Sequence, residues 1–336
     1  MMEIMGSKAK NIRHVIFSFD YELYLGIKSG SVDRCVLHPT ASMLNILERH
    51  HAKAVFFIDT VWLLMLKEAG TAHTPAAADF HKVAGQIRDM AKAGHYLFPH
   101  IHPHWLDAGY LEDLNQWRLY DYSKYHFHAL NEEQRDKLFG GSIDLLNEII
   151  LPVLPGYKPT AYRAGGWSIE PFSDFEPWFK KYGIKYDFSK IEDCPPYCFT
   201  KNMAKDKEGG FAEFPISKVP LLTYTRLCNR VLLKYLWIKG DRGSGDGTGA
   251  IAGKMQSEAL QGRREKKEQK TEMAAVELLT RARLSAYLKF LKTNTYMQFI
   301  CHPKMLSQHN MKVFESWMEY AFDTYEIETD FMKMLP

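Results

Sequence analysis

The stretch Gly94-His95-Tyr96-Leu97-Phe98-Pro99-His100-Ile101-His102-Pro103-His104-Trp105 decides the reading of this chain. An apolar run leads into a cluster of imidazoles. Pro103 lies between His102 and His104, so the segment is not the interior of a regular helix. A strand ending in a loop or short turn is expected instead. His100 and His104 stand four apart, a spacing that lets two rings converge on one ion. Neutral imidazole is the commonest protein ligand for zinc and related metals. A catalytic zinc needs a third protein ligand, and the rest of the chain must supply it.

Upstream, His14-Val-Ile-Phe-Ser-Phe19 reads as a buried strand that ends abruptly on Asp20-Tyr21-Glu22. Lys53-Ala-Val-Phe-Phe-Ile58 is a second strand, and Tyr96–Phe98 begins a third. Downstream, Pro159–Arg163, Gly183–Asp187, Phe211–Pro215 and Thr295–Cys301 complete about seven strands. Between them, helical spacing runs over Thr40–His50, Phe80–Ala93, Asn131–Ile150 and Pro171–Tyr182. It continues over Val219–Trp237 after Thr223, over Met273–Leu291 and over Asn310–Tyr320. Leu106–His128 is aromatic and irregular, and reads as a long loop. Strands alternating with helices predict a mainly parallel sheet. No dinucleotide fingerprint or P-loop follows any strand. The expected fold is therefore α/β, a distorted or incomplete (β/α) barrel of about seven parallel strands. A single domain over residues 1–336 accounts for the length, with a glycine- and charge-rich insertion at about 239–272 read as a flexible linker.

Composition narrows the function classes. A formal net charge of +3 gives no reason to expect nucleic acid as a partner. No stretch is long enough to span a bilayer, so an integral membrane protein is not expected. Met1–Lys10 is polar and Val15–Phe19 is too brief for a secretion signal, which makes the cytoplasm the expected location. Cys35, Cys194, Cys198, Cys228 and Cys301 are odd in number and scattered, so they are read as ordinary thiols. Cys194 and Cys198 flank two prolines but lack the second pair a zinc knuckle needs.

Polar residues recur at one kind of place. Asp20 and Glu22 follow the first strand, His100 and His104 the third, and Arg163, Asp187 and His302 end later ones. In a β/α barrel the C-terminal strand ends gather at one mouth. Loops are wet, which explains any one such position. The whole set supplies metal ligands, a base, an acid and their partners.

These motifs resemble the polysaccharide deacetylases, the NodB-homology or carbohydrate esterase family 4 proteins. Ser18-Phe-Asp-Tyr-Glu22 looks like the family's Thr-Phe-Asp-Asp motif, and Ala54–Ile58 is similar to its Thr-Phe-Phe strand. Gly94–His104 matches its Gly-His-Glu-Ile-Gly-Asn-His-Thr-x-x-His register without a gap. Tyr162-Arg-Ala-Gly-Gly-Trp-Ser168 resembles the arginine motif, Asp187 the fourth-motif aspartate, and Phe299–Pro303 the final Leu-x-His-Pro. Two departures stand out. Tyr21 occupies the place of the usual second aspartate, which suggests an Asp-x-Glu branch similar to O-antigen biosynthesis deacetylases. Gly165-Gly166 replace a proline and an aromatic.

The resemblance implies metal-dependent removal of an acetyl or other N-acyl group from an amino sugar. Glu22, His100 and His104 would hold one divalent ion, with Asp20 as the alternative ligand. Zinc is expected first, and cobalt, nickel and iron suit the same donors. Asp20 would be the general base, kept ionised by Arg163, and His302 the general acid, its ring held by Asp187. Trp105 and Trp167 are candidates for stacking on the sugar. His102 is expected to support the site rather than bind the ion, and His95 to pack near the helix stop. A nucleotide- or lipid-linked precursor of surface polysaccharide or O-antigen is the expected substrate. The alternatives are an inactive carbohydrate-binding relative, a hydrolase of another non-peptide C–N bond, and a phosphoesterase. The last lacks a carboxylate-rich second metal site.

Overall fold

The first strand, β1 (Ile12–Tyr21), is buried from Val15 on both of its faces except at its first turn of pairing. A strand covered on both sides needs a continuous apolar run, which His14–Phe19 provides. The computed structural model describes residues 12–191, 211–248 and 271–334. Cys194, Cys198 and most of the expected insertion, including Arg263–Lys270, lie outside the described residues.

The other strands are β2 (Val55–Asp59), β3 (Tyr96–Ile101), β4 (Ala108–Leu111), β5 (Gln116–Leu119), β6 (Ala161–Ala164) and β7 (Tyr186–Asp187). They continue with β8 (Ala212–Glu213), β9 (Lys218–Pro220), β10 (Thr271–Met273), β11 (Tyr296–Cys301) and β12 (Glu326–Glu328). The main sheet runs β11-β1-β2-β3-β6-β7-β8 with every pair parallel, and β12 adds to the start of β1. This is an open half-barrel. Its two edges approach each other where the Ser217 amide donates to the Gln298 carbonyl and the Ile300 amide to that of Ala274.

Helices α1 (His38–Arg49), α2 (Thr60–Ala69), α3 (Thr74–Lys92), α4 (Glu132–Ile150) and α5 (Glu176–Tyr182) follow the early strands. Later come α6 (Thr223–Ile238), α7 (Arg281–Thr293) and α8 (Gln308–Thr324). The helix α4 opens on a capping box in which Asn131 and Gln134 satisfy each other's amides. Trp317 of α8 is fully buried, its ring centroid 4.7 Å from that of Phe299 and edge-on to Phe17.

Period-two alternation sorts β1 into two environments. Val15, Phe17, Phe19 and Tyr21 join the large core beneath the helices. Ile16 joins Val55, Phe57, Phe98, Phe188, Phe214 and Phe331 in a second cluster that fills the barrel's inside. Ser18 and Asp20 share that inward side, so the same alternation that buries the phenylalanines carries Asp20 to the mouth. Register then aligns the rim: Asp59 lies opposite His100, His100 opposite Arg163, and Tyr162 opposite Asp187.

Some expectations need correction. Leu106–His128 contains the antiparallel hairpin β4–β5. Helix α6 starts at Thr223, as expected, and the residues before it, Lys218–Pro220, pair with Thr271–Met273 as strands. Helix α7 starts at Arg281, since Ala274 and Ala275 are tied to β11. The described part of the supposed flexible linker is docked. Gly245 donates to the Lys304 carbonyl at 2.9 Å, Ser244 to that of Leu306 at 2.8 Å, and Thr248 to that of Lys28 at 2.8 Å. Gly245 and Gly247 lie so close to Tyr24 that any side chain would collide with its ring.

Truncating Trp317 would leave a large void among Phe17, Phe299 and Phe314. We expect Trp317→Ala to lower unfolding stability by about 3–5 kcal/mol in urea titration. A loss below about 1 kcal/mol would show that α8 does not secure the sheet.

Candidate metal and acid–base site

Glu22, His100 and His102 bring one donor atom each to a common point at the barrel mouth. His102 Nε2 lies 2.9 Å from both His100 Nε2 and Glu22 Oε2, and His100 Nε2 lies 3.5 Å from Glu22 Oε2. Donors bonded to one tetrahedral zinc at about 2.0–2.1 Å stand about 3.3 Å apart. The triangle therefore suits a single ion.

Hydrogen bonding fixes how the donors point. His100 Nδ1 is 2.8 Å from the Arg163 carbonyl. A carbonyl only accepts, so Nδ1 carries the proton and Nε2 of the neutral ring presents its lone pair to the triangle. Glu22 Oε1 accepts from Lys304 Nζ at 2.8 Å, while buried Oε2 has no hydrogen-bond donor. Burial raises the Glu22 carboxyl pKa, but the Lys304 charge and the imidazoles outweigh it and hold the group ionised. A buried, ionised oxygen without a donor, facing two imidazole nitrogens, fits a divalent cation.

His104, expected as the third ligand, does not join this triangle. His104 is fully buried but turned away, its ring 5.5 Å from and nearly parallel to Tyr125, and neither nitrogen has a hydrogen-bond partner. The backbone is still extended at His102 and turns into a 3-10 helix at Pro103–Asp107. Residues 100 and 102 thus share one side of an extended segment, while the turn rotates His104 away. Gly165 explains part of the fit: a Cβ there would sit 2.3 Å from the Ile101 carbonyl and 2.8 Å from His102 Nδ1.

Asp20 stands beside the triangle, with Oδ2 3.9 Å from His100 Nε2 and 3.4 Å from His302 Nε2. Its Oδ1 accepts from Arg163 Nη1. Burial opposes ionisation of Asp20, yet the adjacent guanidinium overrides it and keeps the carboxyl well below the usual range. Arg163 also donates to Ser18 Oγ at 2.7 Å and to the Phe188 carbonyl at 3.0 Å, and lies over the Phe57 ring at 4.2 Å.

His302 is held by Glu277. Its Nδ1 is 2.6 Å from Glu277 Oε1, and its backbone amide donates to Oε2 at 3.3 Å. Burial alone would lower the His302 pKa, but Glu277 and Asp20 raise it to about 10. Asp187, expected in the Glu277 role, instead accepts from Ser189 Oγ at 2.5 Å and from the Ser189 amide at 3.2 Å. Strand β7 stops at Asp187 and the chain turns there, so its side chain anchors that turn below the mouth. Burial pushes its carboxyl up to about 6. Glu277 gave no sequence signal because its segment reads as helix; it sits on a single 3-10 turn, Val276–Leu278, against β11.

A cavity of about 350 Å³ opens above these groups, lined by Tyr24, Tyr125, Trp167, Met273, Leu278 and Met305 around the polar floor. Trp167 is thus placed at the mouth. Trp105 is not: it is fully buried, and its Nε1 donates to Asp59 Oδ2 at 2.5 Å. Burial, reinforced by Glu22, pushes the Asp59 carboxyl up to about 8.

No family model matches the sequence, and no curated protein was found to match it. Among solved structures, it is similar to two bacterial proteins assigned as polysaccharide deacetylases. One, from Mycobacterium smegmatis, shares 14% identity with a TM-score of 0.53, covering 98% of this chain and 91% of that one. The other, from Pseudomonas aeruginosa PAO1, shares 14% identity with a TM-score of 0.51, covering 95% and 87%. The protein therefore has the polysaccharide deacetylase fold, over nearly its whole length.

The geometry separates two ligand sets by metal titration. His102→Ala should weaken zinc binding by at least about tenfold, whereas His104→Phe should keep the wild-type stoichiometry. The reverse order would return the third position to His104.

Proposed function

We propose that this protein is a metal-dependent hydrolase that removes an acetyl group from the nitrogen of an amino sugar in a glycan. The observation that carries the reading is the pairing of Asp20 and His302, 3.4 Å apart beside the Glu22, His100 and His102 triangle. One is driven toward the anion and the other toward the cation. Groups whose surroundings push their ionisation apart make a base and an acid at one pH. The fold it shares with polysaccharide deacetylases agrees with this chemistry.

A divalent ion held by Glu22, His100 and His102 would supply Lewis acidity to the attacking water and the acyl carbonyl. Zinc suits the two imidazoles and one carboxylate, as do cobalt, nickel and iron. Asp20 accepts the proton of the water, and Arg163 keeps it anionic until then. His302 delivers a proton to the departing amine, and Glu277 fixes its ring so that Nε2–H faces the cavity. Trp167 and Tyr125 offer flat apolar walls to a sugar ring. The expected setting is the cytoplasm, on precursors of surface polysaccharide such as O-antigen. Among the described residues, no helix is long and apolar enough to cross a membrane.

The test is acetate release from N-acetylated amino-sugar oligomers by zinc-loaded protein. Asp20→Asn and His302→Ala should each slow turnover by at least about 100-fold while zinc content is unchanged. A loaded wild type that binds such glycans yet frees no acetate would make the protein a binding module. Glu277→Gln removes the nearest charge that holds the His302 proton. The alkaline limb of the kcat/KM profile should therefore move to lower pH, and an unmoved limb would detach Glu277 from His302.

A further inference from the structure

Helix α6 is built inside out. Its only buried residues are Thr225 and Asn229, and Asn229 Oδ1 accepts from Thr280 Oγ1 at 2.6 Å. Most of its large apolar side chains face solvent: Tyr224 is 75% exposed, Val231 67%, Ile238 66% and Leu227 60%, while Leu232 and Leu236 are half-buried. Together with Tyr235, they recur at positions 224, 227, 231, 235 and 238, one continuous stripe on a 3.6-residue helix. Leu222 and Trp237, at 75% and 60% exposed, widen it.

Along the helix the charge has one sign. Between Glu213 and Asp241 the chain has no acidic residue. Arg230 and Lys234 run alongside the stripe one turn apart, Lys239 follows the helix end, and Arg242 stacks over the Trp237 ring at 4.4 Å. Arg226 lies nearer the body, within electrostatic reach of Glu272. Pairing this helix with its own copy would set cations against cations. An apolar stripe bearing tyrosine and tryptophan, on a helix whose charged residues are all lysine or arginine, matches a helix lying in the plane of an anionic bilayer surface.

Position links this face to the site. A few residues past Ile238, Gly243 packs on the Lys304 carbonyl and on Met305, and Met305 lines the cavity mouth. We infer that α6 docks the protein on a leaflet containing anionic lipid, presenting the mouth to a glycan carried on a membrane lipid. The substrate half of this inference rests on the deacetylase reading; the docking half does not.

The test is co-sedimentation of the full chain with phosphatidylcholine vesicles, with and without phosphatidylglycerol. Wild type should pellet with the anionic vesicles and at least about tenfold less with the neutral ones. Leu227→Glu with Val231→Glu, and separately Arg230→Glu with Lys234→Glu, should each reduce binding at least about tenfold. Both pairs are on the surface, and their turnover of a soluble oligomer should match wild type. Equal pelleting with both vesicle types, or with neither, would overturn the inference. So would a dimer in sedimentation velocity that Val231→Glu converts to monomer. Vesicle binding without acetate release from any amino sugar would sink the catalytic reading and leave the docking surface standing.

Discussion

The fold and the site depend on one buried cation. The Arg163 guanidinium has no solvent exposure, so it must find its counter-charge and acceptors inside the protein. It finds them on three segments: Asp20 and Ser18 on β1, the Phe188 carbonyl after β7, and the face of Phe57 on β2. Its own carbonyl orients the His100 ring. One residue thus pins four strands around the barrel interior and sets both an anionic carboxylate and a lone-pair direction. Replacing it with an apolar side chain would leave Asp20 buried without its cation, a state that costs several kcal/mol in proteins generally.

The mouth repeats this logic with a second cation and a second acid. Lys304 neutralises Glu22 on one oxygen and leaves the other without a donor. Glu277 charges His302 from behind, leaving Nε2 to face Asp20. Glu22 and His302 each have one side committed to a protein partner and the other facing the cavity.

Much of the scaffold was legible in the chain because parallel strands buried on both faces need unbroken apolar runs. β1, β2, β3 and β11 all announce themselves this way. Helix α2 did not: its N-cap, Asp59, is also the last residue of β2, so strand and helix follow each other with no loop between them. At the mouth, Asp20, Glu22, His100, Arg163 and His302 meet as their strand-end positions suggested. His102 could have been found by the same alternation that pairs Asp20 with Glu22, since positions two apart share a side. Glu277 could not, because its neighbours in sequence are unremarkable and it is the pairing of Ala274 and Ala275 with Ile300 that brings it near.

Lys304 also has a mechanical consequence. Its ammonium grips Glu22 and the Leu23 carbonyl, while its own carbonyl accepts from the Gly245 amide and the Tyr24 hydroxyl. The glycine-rich loop and the aim of the Glu22 carboxylate are therefore a single lever with Lys304 as its fulcrum. Residues 243–248 thus share one residue's bonding with the Glu22 carboxylate, so the loop and that carboxylate are fixed together.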